Sequence, residues 1–179
     1  MGNRIRVIPN FISSEDANKV INIIKDQFSN NQMRPFKDNE NVLVAEETSE
    51  IVEIIKKYSI KSAEEHKIHN GFTKDLYTCE AFANLWQEGS KSLEHVDCHD
   101  DYNFLLFTTV IYLNDNFFGG VLKFKNQSYE YFPRALDGVM FPCGGTEYPH
   151  SVSAVLDRER YTIAIWHTDR MDKADARYN

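Results

Sequence analysis

The feature that most constrains this chain is a change of periodicity near Leu76. Before it, apolar residues recur at helical spacing; after it, short β-rich runs follow one another, separated by turn residues. Ser13 is placed to cap a first helix, with Glu15 and Asp16 in its first turn and Ala17, Val20, Ile21, Ile24 and Phe28 forming one apolar stripe. A second helix is predicted from about Ser49 to Ile68, with Ile51, Val52, Ile55 and Tyr58 inward and Asn70-Gly71 ending it. The polar stretch from Gln27 to Asn41, with Arg34-Pro35, reads as a loop. Strands are predicted at 76–86, 104–113, 121–125, 129–132, 139–141, 151–156 and 161–166. Helices first and many strands afterwards indicate α+β, an antiparallel sandwich or jelly roll packed on the helices. No repeat or linker interrupts the chain, so one domain over 1–179 is expected, with helical support to about 75 and the β core over about 76–168.

Composition narrows the function classes. A net charge of -7 disfavours binding to a phosphate backbone, so no nucleic-acid partner is expected. No apolar run is long enough for a membrane span, and Met1 to Arg6 offers no secretory signal, so no membrane partner is expected. Cys79, Cys98 and Cys143 are odd in number and widely spaced, which suits reduced thiols and a cytoplasmic location. Nothing in the sequence sets an oligomeric state.

The chemistry centres on Glu94-His95-Val96-Asp97. On a strand, His95 and Asp97 share a face while Val96 points away, so an imidazole and a carboxylate reach one metal ion. Pro149-His150-Ser151-Val152 offers a third ligand, with several strands' length of chain between. Two histidines and one carboxylate on one face of an octahedral ion leave positions open for a cosubstrate and dioxygen, the usual non-haem iron(II) arrangement. In the next run, Arg160, Thr162, Ala164 and Trp166 share a face. A buried arginine there needs an anion, and its planar fork suits a dicarboxylate. Arg158 is the alternative partner for a protein acid.

These residues resemble the catalytic domain of the prolyl 4-hydroxylase-like 2-oxoglutarate/Fe(II)-dependent dioxygenases. The resemblance runs from Val7-Ile8-Pro9-Asn10-Phe11-Ile12-Ser13, through His95-Val96-Asp97, Val110-Ile111-Tyr112-Leu113-Asn114 and Phe118-Gly119-Gly120, to Pro149-His150-Ser151-Val152 and Arg160-Tyr161-Thr162-Ile163-Ala164-Ile165-Trp166. It implies a double-stranded β-helix (jelly roll) packed on N-terminal helices. It implies iron(II) on His95, Asp97 and His150, with no catalytic side chain beyond these ligands. It implies 2-oxoglutarate on Arg160 and Tyr112, with Trp86 and Thr162 in the same pocket, and dioxygen, with ascorbate as an auxiliary reductant. The implied reaction converts 2-oxoglutarate to succinate and CO2 while hydroxylating a substrate, peptidyl proline by the nearest resemblance. The 27–41 loop would close over the peptide. Trp86-Gln87-Glu88-Gly89 departs from the family's Tyr-x-x-Gly, and many members carry Lys where Arg160 stands. Two rivals are a non-catalytic jelly-roll module binding a small anion or sugar, and a zinc hydrolase, for which the sequence offers no well-placed glutamate base. His66 and His69 read as a solvated helix end, His99-Asp100-Asp101 as a charged turn near the site, His167 as packing, and Cys98 as pointing away from the metal.

Overall fold

The computed structural model describes residues 4–37 and 39–179. Met1 to Asn3, part of the stretch read for a signal, and Asp38, inside the 27–41 segment, lie outside the described residues.

Helix α1 spans Ser14–Ser29, and Ser13 caps it by accepting the Asp16 amide at 3.1 Å. Helix α2 spans Ser49–Asn70; Thr48 caps its start, and Gly71, at φ 61°, closes it in the left-handed region where glycine meets no Cβ penalty. Residues Ile51, Ile55, Tyr58, Ser62 and His66 form the inward stripe of α2, so the buried face runs about two turns beyond Tyr58. Two expectations fail here. Phe28 is 40% exposed, while Gln27 takes the inward position and clamps the Glu46 backbone through both amide atoms, at 3.0 and 2.8 Å. His66 is fully buried rather than solvated; only His69 faces solvent.

Thirteen strands follow the described chain: β1 (Arg6–Ile8), β2 (Arg34–Phe36), β3 (Asn39–Val44), β4 (Tyr77–Trp86), β5 (Ser92–His95), β6 (Phe107–Tyr112), β7 (Phe118–Gly119), β8 (Leu122–Phe124), β9 (Tyr129–Tyr131), β10 (Gly138–Pro142), β11 (His150–Val152), β12 (Val155–Leu156) and β13 (Arg160–Thr168). A seven-stranded sheet has the order β1-β10-β6-β13-β4-β3-β2, a four-stranded sheet the order β5-β11-β8-β9, and β12 pairs with β7. Their pairings are antiparallel. The 27–41 segment is therefore not an open loop. It carries β2 and the start of β3, a hairpin on the edge of the large sheet, where Pro35 is tolerated because an edge strand can spare one amide. The 151–156 run divides into β11 and β12.

Period-two alternation explains the layering. On the outer face of the large sheet, Ala81, Ala83 and Leu85 of β4 and Tyr161, Ile163 and Ile165 of β13 pack against Val20, Ile24, Ile51 and Ile55 of the helices. Burying each of the larger aliphatic chains contributes about 1.5–3 kcal/mol. Between the sheets a second core contains Tyr112, Phe124, Tyr131, Val139 and Phe141. Cys79, Cys98 and Cys143 are free thiols. Among the described residues no helix is long and apolar enough to cross a membrane.

Candidate metal and anion site

The inner face of the large sheet opposite the helices is assembled in cross-strand rows. Trp86 pairs with Arg160, Asn84 with Thr162 and Tyr112, Phe82 with Ala164 and Val110, and Glu80 with Trp166 and Thr108. Except for Tyr112, these side chains line a cavity of about 580 Å³ whose other wall is the small sheet. The predicted shared face of Arg160, Thr162, Ala164 and Trp166 is thus present. The rim includes Phe36, Lys37, Leu93, His99 and Tyr102.

At one side of the cavity three metal-ligating groups converge. Strands β5 and β11 pair with His95 directly opposite His150, which brings the two imidazole centroids to 4.4 Å. Asp97 Oδ1 lies 3.6 Å from His95 Nε2 and 3.7 Å from His150 Nε2, and one ligand atom from each residue falls within 4.8 Å of the other two. The route to this geometry differs from a simple strand alternation. β5 ends at His95, and Asp97 sits in the bend that follows; Val96, expected to point away, also lines the cavity.

The tautomers follow from the neighbours. His95 Nδ1 donates to the Leu93 carbonyl at 2.8 Å, and His150 Nδ1 donates to the Tyr148 carbonyl at 3.1 Å. A carbonyl can only accept, so each ring carries a proton on Nδ1 and presents Nε2 to Asp97. Burial opposes charge on Asp97, yet the adjacent His95 and His150 rings and the Thr108 hydroxyl outweigh it and draw the carboxyl down to about 2. The Asp97 carboxylate raises His95, whereas burial lowers His150. Two imidazole nitrogens and one anionic oxygen, all on one side of a shared space, match the requirements of a divalent first-row cation.

Arg160 lies at the other end of the inner face. It is 2% exposed, and its Nε and Nη1 have no hydrogen-bond partner. Its guanidinium carbon sits 4.5 Å from the Trp86 ring centroid and 5.0 Å from that of Tyr112. Stacking on two aromatic faces holds the fork flat but satisfies none of its N–H groups, which leaves them available to an anion. The Tyr112 hydroxyl is likewise buried without a partner; it lies behind the cavity lining, beside Arg160. Trp86 Nε1 donates to Asn84 Oδ1 at 3.1 Å, and the Thr162 hydroxyl bonds the same oxygen. The indole therefore contributes a stacking face here, and its one donor is spent on Asn84. Gly120, at φ 60°, makes the approach possible: a Cβ there would lie 2.9 Å from Phe117 Cε2 and 3.2 Å from Arg160 Cδ. Arg158 is exposed and pairs with Asp157, the protein-acid partnership expected of it.

Sequence reading missed three cavity residues. Thr108 donates to Asp97 Oδ2 at 2.6 Å. Asn84, with its carbonyl oxygen occupied, has an amide N–H pair left for a ligand. Glu80 lines the same chamber, where burial raises its carboxyl above the usual range. Alternation back from Trp86 along β4 was the available signal for Asn84 and Glu80. His99 reaches the rim as predicted, and His167 packs in the core between Ser62 and Thr78.

Comparison with known proteins adds a family match over part of the chain and a shared fold. Residues 81–168 match the family described as the 2OG-Fe(II) oxygenase superfamily. Prolyl 3-hydroxylase 1 of Gallus gallus is 38% identical over 72 residues, 37% of this chain; that match spans only 10% of the relative's length. A prolyl-4-hydroxylase of Pseudomonas putida has a TM-score of 0.74 at 19% identity, covering 94% of each chain. The viral collagen prolyl hydroxylase of Paramecium Bursaria Chlorella virus-1, solved with 2OG, has a TM-score of 0.73 at 19% identity over 93% of this chain and 96% of that one. A prolyl hydroxylase of Trichoplax adhaerens, in complex with a hypoxia inducible factor peptide fragment, has a TM-score of 0.74 at 16% identity over 96% and 86%. At these identities the solved structures speak for a shared fold.

Proposed function

We propose that this chain, whose residues 81–168 match the 2OG-Fe(II) oxygenase superfamily, is an iron(II)- and 2-oxoglutarate-dependent dioxygenase that hydroxylates a prolyl residue of a peptide. The strands of the two facing sheets, with β4, β6, β10 and β13 in one and β5, β8, β9 and β11 in the other, read as a double-stranded β-helix, or jelly roll. The observation that carries the functional reading is the pairing of two features across one cavity: three metal-ligating atoms that converge on one space, and a buried arginine whose Nε and Nη1 have no protein hydrogen-bond partner.

His95 Nε2, His150 Nε2 and Asp97 Oδ1 would hold iron(II), since all three donors already face one space. Arg160 would take the distal carboxylate of 2-oxoglutarate on its Nε and Nη1, with the Tyr112 hydroxyl donating to the same group. Trp86 fixes the guanidinium plane from one side, and the Asn84 amide and Thr162 border the chain of the cosubstrate. Bound iron supplies the coupling of 2-oxoglutarate decarboxylation by dioxygen to hydroxylation of the substrate. Phe82, Val110, Leu122 and Trp166 keep the chamber apolar, which excludes water from the reacting region. At the rim, Phe36 and Tyr102, with Leu93 76% exposed, offer aromatic and aliphatic faces to an extended, proline-containing segment, which is already ordered before binding. The prolyl hydroxylases of similar fold, one of them bound to a peptide, favour this substrate class. The free thiols favour a reducing, cytoplasmic setting, and ascorbate would serve as the auxiliary reductant.

A module that bound only a small anion would use Arg160 and leave the triad without a purpose. A zinc hydrolase gains a candidate base in Glu80 but leaves Arg160 unexplained. The test is incubation of the purified chain with iron(II), 2-oxoglutarate and proline-containing peptides under air. Succinate release together with a peptide mass gain of about 16 Da, both lost in His150→Ala, is the expected outcome. Succinate without any peptide gain would overturn the prolyl assignment, and no succinate at all would overturn the dioxygenase.

A further inference from the structure

We infer that Thr108 is a positioning residue that makes Asp97 a one-oxygen metal ligand, by holding Oδ2 in a hydrogen bond so that only Oδ1 faces the cation. The inference rests on the metal reading above and goes beyond it by giving a role to a residue outside the ligand set.

Asp97 needs such a restraint because the sheet does not supply one. His95 and His150 sit on paired strands, and their rings are further tied through Nδ1 to carbonyl groups. Asp97 lies past the end of β5, in a bend, where no ladder bond fixes its backbone. Its carboxylate nevertheless has a defined orientation. Oδ2 accepts the Thr108 hydroxyl at 2.6 Å, the short distance typical of a hydroxyl on an ionised carboxylate. Oδ1 is the oxygen that lies 3.6 and 3.7 Å from the two Nε2 atoms. The two oxygens therefore have separate tasks.

Thr108 is itself rigid. It lies in the middle of the large sheet on β6, 2% exposed, opposite Trp166 of β13, and β-branching restricts its χ1. The next residue, Thr109, faces the opposite side and bonds His66 of α2 at 2.9 Å, so this part of β6 is held from both faces. The constraint on Asp97 thus comes from the large sheet, while the two histidines come from the small one.

The consequence is a count of coordination positions. Three single-atom ligands on an octahedral ion leave three positions, enough for a chelating 2-oxo acid and one further small molecule. A carboxylate free to bind through both oxygens would occupy one of them. A carboxylate free to swing away would weaken the site, and loss of such a supporting hydrogen bond typically costs 10–100-fold in metal affinity.

The test compares parent, Thr108→Val and Thr108→Ser by anaerobic titration with iron(II) and with cobalt(II), whose absorption spectrum reports its coordination number. Circular dichroism and thermal melting of the metal-free proteins accompany the titrations. Valine keeps the shape and removes the hydroxyl; serine keeps the hydroxyl. The expected result is an affinity at least about tenfold weaker in Thr108→Val, or a cobalt spectrum shifted towards a higher coordination number, with serine returning both to within about threefold of the parent. If Thr108→Val does not fold, Thr108→Ser and Thr108→Ala carry the same comparison. Equal affinity and an unchanged cobalt spectrum without the hydroxyl overturn the inference while leaving the metal site intact. Failure of the parent itself to bind metal in one-to-one ratio overturns the underlying reading as well.

Discussion

Arg160→Met is the most informative substitution, because it should move two measurements in opposite directions. In the ligand-free protein, Arg160 is a buried charge with two unpartnered nitrogens, which is a cost to folding. Methionine fills similar space between Trp86 and Tyr112 without that cost, so the ligand-free variant should melt at the parent temperature or above. Cosubstrate binding should show the reverse. Two charge-assisted hydrogen bonds to a carboxylate, each about 1.5–3 kcal/mol, set a lower bound of about 3 kcal/mol, or roughly 10²-fold in affinity. At 2-oxoglutarate held about 100-fold above the parent Kd, binding stabilises the parent by about 2.7 kcal/mol, a rise of roughly 5–10 °C for a chain of this size. At that same concentration the variant should gain about 0.4 kcal/mol, close to 1 °C. The assay is thermal melting with iron(II) under anaerobic conditions, with and without 2-oxoglutarate, alongside a direct titration. Tyr112→Phe removes a single hydroxyl and should lie between the two. An Arg160→Met protein that keeps the full 2-oxoglutarate shift would refute the assignment, since no other group proposed here could replace the fork.

Two further outcomes follow from buried groups outside the ligand set. His167 is fully buried and neutral, held by burial down to about 3, and His66, buried beside it, is lowered in the same way. Both take up protons on unfolding, so the stability they confer is complete above the ordinary value of 6.5 and is lost as pH falls below it. By pH 5 the loss from His167 alone should reach about 2 kcal/mol, so the gap in urea stability between parent and His167→Gln should narrow by that amount between pH 7.5 and 5; a constant gap would contradict a neutral His167. Gly120→Ala places a Cβ against Phe117 and Arg160 at a positive φ, and should cost about 1–3 kcal/mol in stability while weakening 2-oxoglutarate binding. Unchanged melting and unchanged titration would show that Gly120 is not what admits Arg160.

What could be read from the sequence was whatever follows from period and spacing within one element. Arg160, Thr162, Ala164 and Trp166 alternate on β13, and that alternation is enough to place them together. The start of α1 and the end of α2 were legible because their caps, Ser13 and Gly71, are local. The β2–β3 hairpin was not, since Arg34-Pro35-Phe36 becomes a strand only by lying at the edge of a sheet whose next members are β3 and β4. His66 was misjudged because Glu64, Glu65 and Lys67 dominate the local composition, although positions 51, 55, 58, 62 and 66 continue one helical stripe. Thr108 carries no signal in its own segment: its partner is Asp97, on the other side of a turn, and only the packed sheets bring the two within 2.6 Å.

That last contact bears on how the site is divided between the sheets. The imidazoles belong to β5 and β11 of the small sheet; the proposed anion anchor, Arg160, and the Thr108 hydroxyl on Asp97 belong to β13 and β6 of the large one. The separation of cation and anion positions is therefore not fixed within any element. It is fixed by what fills the space between the sheets. His150 packs against Phe124 at 5.8 Å and Phe141 at 4.9 Å, and these rings meet each other edge-on at 4.8 Å. Phe141 lies on β10, in the large sheet, and Phe124 on β8, in the small one. This trio is the mechanical link between the two halves of the site, because close-packed rings transmit displacement rather than absorb it. The aromatic core behind the triad thus holds the proposed cation and anion sites at one distance, in the same way that Trp86 and Tyr112 hold the plane of Arg160.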